Sequence, residues 1–241
     1  MGSHIVGSAS VMKNQHVVVL SGAGISAESG LGTFRGSGGL WEGISVKEVA
    51  TPEAWERDPN KVLRFYNQRR RDVAKALPNE AHIALGTLED MFKVTIITQN
   101  IDDLHERAGS TNVIHLHGEI MKARSSCDEH LLYPWTGDMA IGQTCEKGSQ
   151  LRPHVVWFGE AVPMMDSAIA VARTADFFIV VGTSLEVYPA ASLVDYVPYE
   201  SIKFFIDPDP NGLTDESFRV IRAPATEGIP AVVAQLRALM A

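Results

Sequence analysis

The chain is predicted to be an α/β protein: a doubly wound parallel sheet with a small inserted lobe. Two observations carry that prediction. Five short apolar runs rich in β-branched residues alternate with helical patterns along the chain. The runs are continuous rather than alternating in polarity, as strands buried on both faces are. Strand–helix alternation of this kind builds parallel sheets with crossover helices.

Residues 1–4, Met1-Gly2-Ser3-His4, read as a cloning scar, and 1–13 as a tag or disordered stretch before the domain of 14–241. Strands are predicted at 16–20, 94–98, 112–116, 177–181 and 203–206. A helix is predicted over 52–76, with Pro52 at its start and Pro78 just past its end. Asn79 caps the next, 80–92; further helices are expected at 166–175 and 229–240. Residues 119–156 break the pattern and read as a small lobe or long loop region, joined by about 36–80. Loops of that length are usually functional.

Composition narrows the function classes. At 241 residues the chain fits one large domain with ample core. A net charge of -8 leaves no basic footprint, so no nucleic-acid partner is expected. No apolar run approaches the roughly 18 residues of a membrane span, and no secretion leader is visible. Cys127 and Cys145 make no disulfide framework. A reducing, cytoplasmic setting and a monomer are expected.

The residues at the strand ends are more informative than the strands. Ligands of open parallel sheets bind beyond the carboxyl ends of the strands. Those ends carry Ser21-Gly22-Ala23-Gly24, Gln99-Asn100-Ile101-Asp102, His117-Gly118, Gly182-Thr183-Ser184 and Asp207. The run Gly22-Ala23-Gly24-Ile25-Ser26-Ala27 suits a tight turn with a pyrophosphate at the N-terminus of the next helix. The acidic residue expected about 20 residues on in an oxidoreductase is missing. A glycine-rich loop holding Thr33, Phe34 and Arg35 takes its place and reads as a cofactor cover. Gln99, Asn100 and Asp102 suit hydrogen bonds to a carboxamide or a water. Of His115 and His117, two residues apart, the latter stands on the rim and the former reads as structural.

Together these residues resemble the sirtuins. The turn at 22–26, the loop at 33–35, Gln99-Asn100-Ile101-Asp102, His117-Gly118, Val156-Trp157-Phe158-Gly159-Glu160 and Gly182-Thr183-Ser184 occur in that family's order. The match runs from about Val17 to the C-terminus and looks most like bacterial sirtuins. The resemblance implies a Rossmann-like large domain and a small lobe, with NAD and acyl-lysine meeting between them. The acyl oxygen would attack the ribose carbon as nicotinamide leaves, giving free lysine and O-acyl-ADP-ribose. His117 and Asn100 match catalytic residues, His117 as the base for a ribose hydroxyl. Gly22, Ala23, Gly24, Ser26, Ala27, Glu28, Thr33, Phe34, Arg35, Trp41, Gln99, Asn100, Ile101, Asp102, Gly182, Thr183, Ser184, Asp207 and Ala225 would bind NAD. Val156, Trp157, Phe158, Gly159 and Glu160 would receive an acylated-lysine protein substrate as an added strand.

Tyr66 and Arg69, three apart on a predicted helix, share a face. Tyr-x-x-Arg here resembles the desuccinylase and demalonylase subclass, in which the pair would read the distal carboxylate of the acyl group. The family's two Cys-x-x-Cys pairs are absent. Ser125 stands near the first expected cysteine, Cys127 is followed by His130, and Cys145 by Gly148. Cys127, His130 and Cys145 fall short of a closed tetrahedral site, so no structural zinc is expected; Leu131, Tyr133, Pro134 and Trp135 are expected to pack in its place. The rival readings are a plain deacetylase, an ADP-ribosyl transferase or NAD hydrolase, and a non-catalytic NAD or acyl-lysine binding module. Retention of His117 and Asn100 argues against the last.

Overall fold

The computed structural model describes residues 15–35, 40–41, 44–210 and 215–239, and for 34, 35, 40 and 41 the backbone only. The stretch 1–13 lies outside the described residues. The strands are β1 (His16–Ser21), β2 (Phe34–Arg35), β3 (Leu40–Trp41), β4 (Ile44–Ser45), β5 (Lys93–Thr98), β6 (Val113–His115), β7 (Gly118–Ser125), β8 (Leu132–Pro134), β9 (Leu151–Val155), β10 (Phe177–Val181), β11 (Ile202–Ile206) and β12 (Phe218–Ile221). The helices are α1 (Val46–Val49), α2 (Pro52–Arg57), α3 (Pro59–Lys75), α4 (Glu80–Gly86), α5 (Leu104–Arg107), α6 (Met165–Ala172) and α7 (Ala225–Ala238).

The main sheet is parallel throughout, in the order β12-β11-β10-β1-β5-β6. Successive side chains of a strand face opposite sides, so each continuous apolar run feeds two cores. Val17, Val19, Ile179, Val181, Phe204 and Ile206 pack with Leu85 of α4 and Ile229, Val232 and Leu236 of α7. Val18, Leu20, Phe178, Val180 and Phe205 pack on the other side with Ala168 and Ala172 of α6 and with Leu193. Each fully buried Val, Leu, Ile or Phe contributes about 1.5–3 kcal/mol. This sandwich fixes the strand ends that carry the site.

A second core lies outside the sheet. The stretch 119–156, expected as a small lobe or long loop region, folds as an antiparallel sheet, β8-β7-β9. The register of β7 against β9 shifts between Gly118 and Ala123, and Arg124, Ser125 and Arg152 are buried. The bulge and the buried polar residues hide the alternation by which a strand is read. Helices α1 to α3 cover this sheet, Val62, Tyr66 and Val73 meeting Ile120, Val155 and Trp157. Leu131, Tyr133 and Trp135 pack against Leu63, Ala123, Met139, Cys145 and Leu151.

Other boundaries also move. The helix expected over 52–76 is two helices, because Asp58 precedes Pro59 and is driven out of the helical region. Its carboxylate then caps α3, accepting from Lys61 N at 2.9 Å. The helix expected to begin at 229 begins at Ala225, since Gly228 and Pro230 mask its pattern. Gly228 is needed there: a Cβ would stand 2.3 Å from Ile206 Cγ2. The expected helix 80–92 ends as α-helix at Gly86 and continues as a 3₁₀ turn, Thr87–Asp90. Strand β12 was not expected; it is a short edge strand with two of its four residues exposed.

The basic run on α3 is split by the 100° turn per residue. Arg71 pairs on the surface with Asp138 at 2.7 Å. Arg70, 1% exposed, donates to the carbonyls of Ile120 and Gly137 and to Asn67 Oδ1. Arg69 is buried on a third side, against the site. Arg70→Leu strands those acceptors, each at about 1–3 kcal/mol when buried. A clear fall in Tm is expected for it and none for Arg71→Leu; equal Tm values for the two would contradict this assignment.

Candidate active site

The carboxyl ends of β1, β5, β10 and β11 open onto one cleft of about 760 Å³, a size that suits a small-molecule ligand. From β1 the chain builds outward through β5 and β6 on one side and through β10, β11 and β12 on the other. The cleft therefore sits at the switch point, where loops diverge and leave a crevice.

Three glycines shape its floor. Gly22 N donates to Val181 O at 3.0 Å and Gly24 N to Gly182 O at 2.9 Å. A Cβ on Gly22 would lie 2.7 Å from Gly182 O, and one on Gly24 2.6 Å from Gly182 Cα. Gly182 has φ +63°, and its Cβ would lie 2.3 Å from Ile25 N. These residues let two strand-end loops interlock, a requirement beyond room for a ligand. The helix expected after this turn is a 3₁₀ helix, Ala23–Ser29. Gly182→Ala combines a left-handed non-glycine with overpacking, so a loss of at least about 2 kcal/mol is expected. An unchanged denaturant midpoint would contradict it.

His117 is held by its backbone neighbour. Its Nδ1 lies 3.0 Å from Gln99 O. A carbonyl can only accept, so Nδ1 carries the proton and Nε2 keeps its lone pair. Burial, against that hydrogen bond, lowers the pKa of His117 below the ordinary range. His115 is used differently: Nδ1 meets Asn100 O at 3.1 Å and Nε2 meets Glu106 Oε1 at 2.7 Å. Burial opposes its charge, but the Glu106 carboxylate outweighs burial and raises its pKa. Both its ring nitrogens are thereby engaged within the fold.

A buried polar chain backs the middle of the cleft. Asn100 Nδ2 donates to Ser26 Oγ at 3.2 Å, and Ser26 Oγ donates to Asp102 Oδ2 at 3.1 Å. His82 Nε2 lies 3.4 Å from the same hydroxyl. Leu104 N donates to Asp102 Oδ1 at 3.2 Å. Burial raises the pKa of Asp102. Gln99 Nε2 bridges the loops after β5 and β10 by donating to Thr183 Oγ1 at 3.0 Å.

Ala23, Ala27, Thr33, Ile101, Ser184 and Ala225 also line the cleft. Glu28 lines it with its carboxylate accepting from Thr226 N and Oγ1, which ties the first loop to α7. Asp207 lines it and accepts from Asp209 N at 2.8 Å. The side chains of Phe34, Arg35 and Trp41 lie outside the described residues.

At the other end, Tyr66 and Arg69 of α3 line the cleft with Val156, Trp157, Phe158, Gly159 and Glu160. Tyr66 is fully buried, and its Oη accepts from Trp157 Nε1 at 3.1 Å. Burial raises its pKa, so the phenol keeps its proton. Glu160 is turned inward: it accepts from Arg124, from both Nη atoms of Arg152 and from Trp157 N. Arg152 stacks 3.3 Å above the Trp157 ring. The N–H groups of Val156, Phe158 and Glu160 donate to His117, Ala50 and Trp157 carbonyls. The segment therefore keeps fewer main-chain donors for an added strand than its sequence implies.

Lining residues that sequence reasoning passed over include Leu31, Val73, Glu186, Val187, Tyr188 and Pro189. Val73 was findable, four residues beyond Arg69 on the same helix face. The others lie on irregular segments that no periodicity marks.

Known proteins match this architecture. The Sir2 family model matches residues 22–189. A protein of Helicobacter pylori named NAD-dependent protein deacylase is 54% identical over 197 residues, covering 82% of this chain and 85% of its own length. One of the same name from Bacteroides thetaiotaomicron is 49% identical, covering 90% and 95%. A solved Sir2 homologue–NAD complex superposes with a TM-score of 0.84 at 39% identity, covering 100% of this chain and 96% of that one. With its parallel sheet, its interlocked glycine loops and these identities, the chain belongs to the Sir2 family.

Proposed function

We propose that this Sir2-family protein, an NAD-dependent protein deacylase, removes succinyl and malonyl groups from protein lysines in preference to acetyl. The observation that supports the acyl preference is Arg69: it is 4% exposed and lines the cleft beside Tyr66. Arg70 bonds instead within the lobe, and Arg71 pairs with Asp138 on the surface. A guanidinium so placed suits a carboxylate, which it can grip with two parallel hydrogen bonds.

The residues present fit NAD. Interlocked glycines bring backbone close to the cleft floor, buried Asn100 and Asp102 offer donor and acceptor atoms for a carboxamide, and Asp207 offers acceptors for a ribose. Bound there, NAD supplies a ribose carbon carrying a good leaving group. His117 Nε2, the free lone pair of a ring oriented by Gln99 O, would take a proton from a ribose hydroxyl. The stacked Trp157 and the apolar wall of Val155 and Val162 would exclude water from the acyl channel. The small lobe is read as holding no structural zinc, and the partner as an acylated-lysine protein met as a monomer in the cytoplasm. Among the described residues no helix is long and apolar enough to cross a membrane.

The test is incubation with NAD and matched succinyl-, malonyl- and acetyl-lysine peptides, with products followed by mass spectrometry. Faster loss of the two acidic acyl groups with O-acyl-ADP-ribose formed is the expected result. Acetyl loss alone would discard the Arg69 reading, and nicotinamide release without peptide would favour an NAD hydrolase.

The pH profile adds a check. A base works when deprotonated, and burial holds His117 below the ordinary 6.5. kcat/KM is therefore expected to be flat through neutral pH and to fall only below pH 6.5, as His117 takes up its proton. A fall beginning above neutrality would contradict the assignment.

A further inference from the structure

The family's tetrathiolate zinc site does not fit this chain. Among the described residues no three His, Cys, Asp or Glu side chains converge as a metal-binding group. His130 is exposed, and Ser125 stands where a thiolate would be needed. Yet the two cysteines have not drifted apart. Cys127 Sγ and Cys145 Sγ each lie 3.3 Å from Ser125 Oγ, so one hydroxyl joins the two thiols. Their frames are tied together: Ser126 N donates to Gln150 O at 3.0 Å, Cys145 N to Ser149 O at 2.9 Å, and Thr144 bridges to Gln150. Cys127 is exposed and Cys145 is 6% exposed.

We propose that Cys127 and Cys145 form a reversible disulfide under peroxide, a redox-made staple in the place where relatives of this fold would hold a metal. The accessible Cys127 thiolate attacks one peroxide oxygen, breaking the O–O bond, so that sulfur is oxidised to a sulfenic acid and hydroxide leaves. Cys145 then attacks the Cys127 sulfur; the S–S bond forms, the S–O bond breaks, and water leaves with the thiol proton. The sum is two thiols and one peroxide giving one disulfide and two waters. Cys145 suits the second step. The hydrogen bond with the Ser125 hydroxyl lowers its pKa. The staple would join the end of β7 to the turn that leads into β9, the strand that runs out to Trp157 on the wall of the cleft.

The test treats the full-length protein with equimolar hydrogen peroxide and reads free thiols, intact mass and Tm. Both thiols are expected to disappear together, with a mass lower by about 2 Da, restored by dithiothreitol. Tm is expected to rise by a few degrees, about what closing a loop of this size gives. In Cys145→Ser the same treatment is expected to add about 16 Da at Cys127 instead. Should that variant not fold, Cys127→Ser serves, in which Cys145 is expected to stay reduced. Oxidation of Cys127 in the unaltered protein with Cys145 still free, a disulfide between two chains, or one zinc per purified chain protecting both thiols would each overturn the proposal.

Discussion

Replacing His117 by alanine is expected to lower kcat/KM about 100- to 10,000-fold for succinyl-, malonyl- and acetyl-lysine peptides alike. The effect is uniform because His117 acts on the cofactor side, whatever acyl group is bound. Its ring is fixed by one bond, Nδ1 to Gln99 O at 3.0 Å, which decides the tautomer and leaves Nε2 as the base. Alanine removes the base without stranding a buried donor, and a carbonyl that loses one partner on a cleft wall can turn to water. Tm and NAD binding by calorimetry are therefore expected to stay near those of the unaltered protein. Loss of NAD binding, or a fall confined to one acyl group, would place His117 in another role. His115→Ala is a contrasting case: it removes partners of both Asn100 O and Glu106, so its effect is expected first in Tm.

The features legible in the sequence obey a physical rule. Strands with continuous apolar runs, 177–181 above all, announce themselves because burial on both faces admits little else. The polar ends of those strands were legible for the same reason: Asn100, Asp102 and His117 stand where a buried run stops. The antiparallel lobe was not, since β7 carries a bulge and the buried Arg124 of β7 and Arg152 of β9 are neutralised by Glu160, which is distant in sequence from Arg124. Nor could the glycine loops be fully understood from the sequence. Gly22 and Gly24 meet Gly182 across the switch point, a contact that exists only once the sheet is assembled. The inward turn of Glu160 is likewise a tertiary fact; on the sequence it belonged to the segment 156–160 expected to receive the substrate as an added strand.

Arg69→Met is expected to cut kcat/KM for succinyl- and malonyl-lysine peptides about 100-fold while changing acetyl-lysine turnover less than about 5-fold. A 100-fold fall, about 2.7 kcal/mol, is the order expected for hydrogen bonds between charged groups in a desolvated pocket. Methionine keeps an unbranched apolar stem, shorter than that of arginine, so most of the packing on α3 is kept while the fork of donors is lost. Acetyl-lysine has no distal carboxylate and gains nothing from that fork. Tyr66→Phe is a weaker probe, because Tyr66 Oη also accepts from Trp157 Nε1 at 3.1 Å. Its loss leaves a buried indole N–H without that acceptor, at about 1–3 kcal/mol, so some of its effect appears as a lower Tm and in every acyl group. Arg71→Met, on the surface beside Asp138, is expected to change no acyl preference. Equal falls for succinyl and acetyl in Arg69→Met would mean that the guanidinium shapes the channel rather than reads the acyl group, and the protein would then be a deacylase without preference for acidic groups.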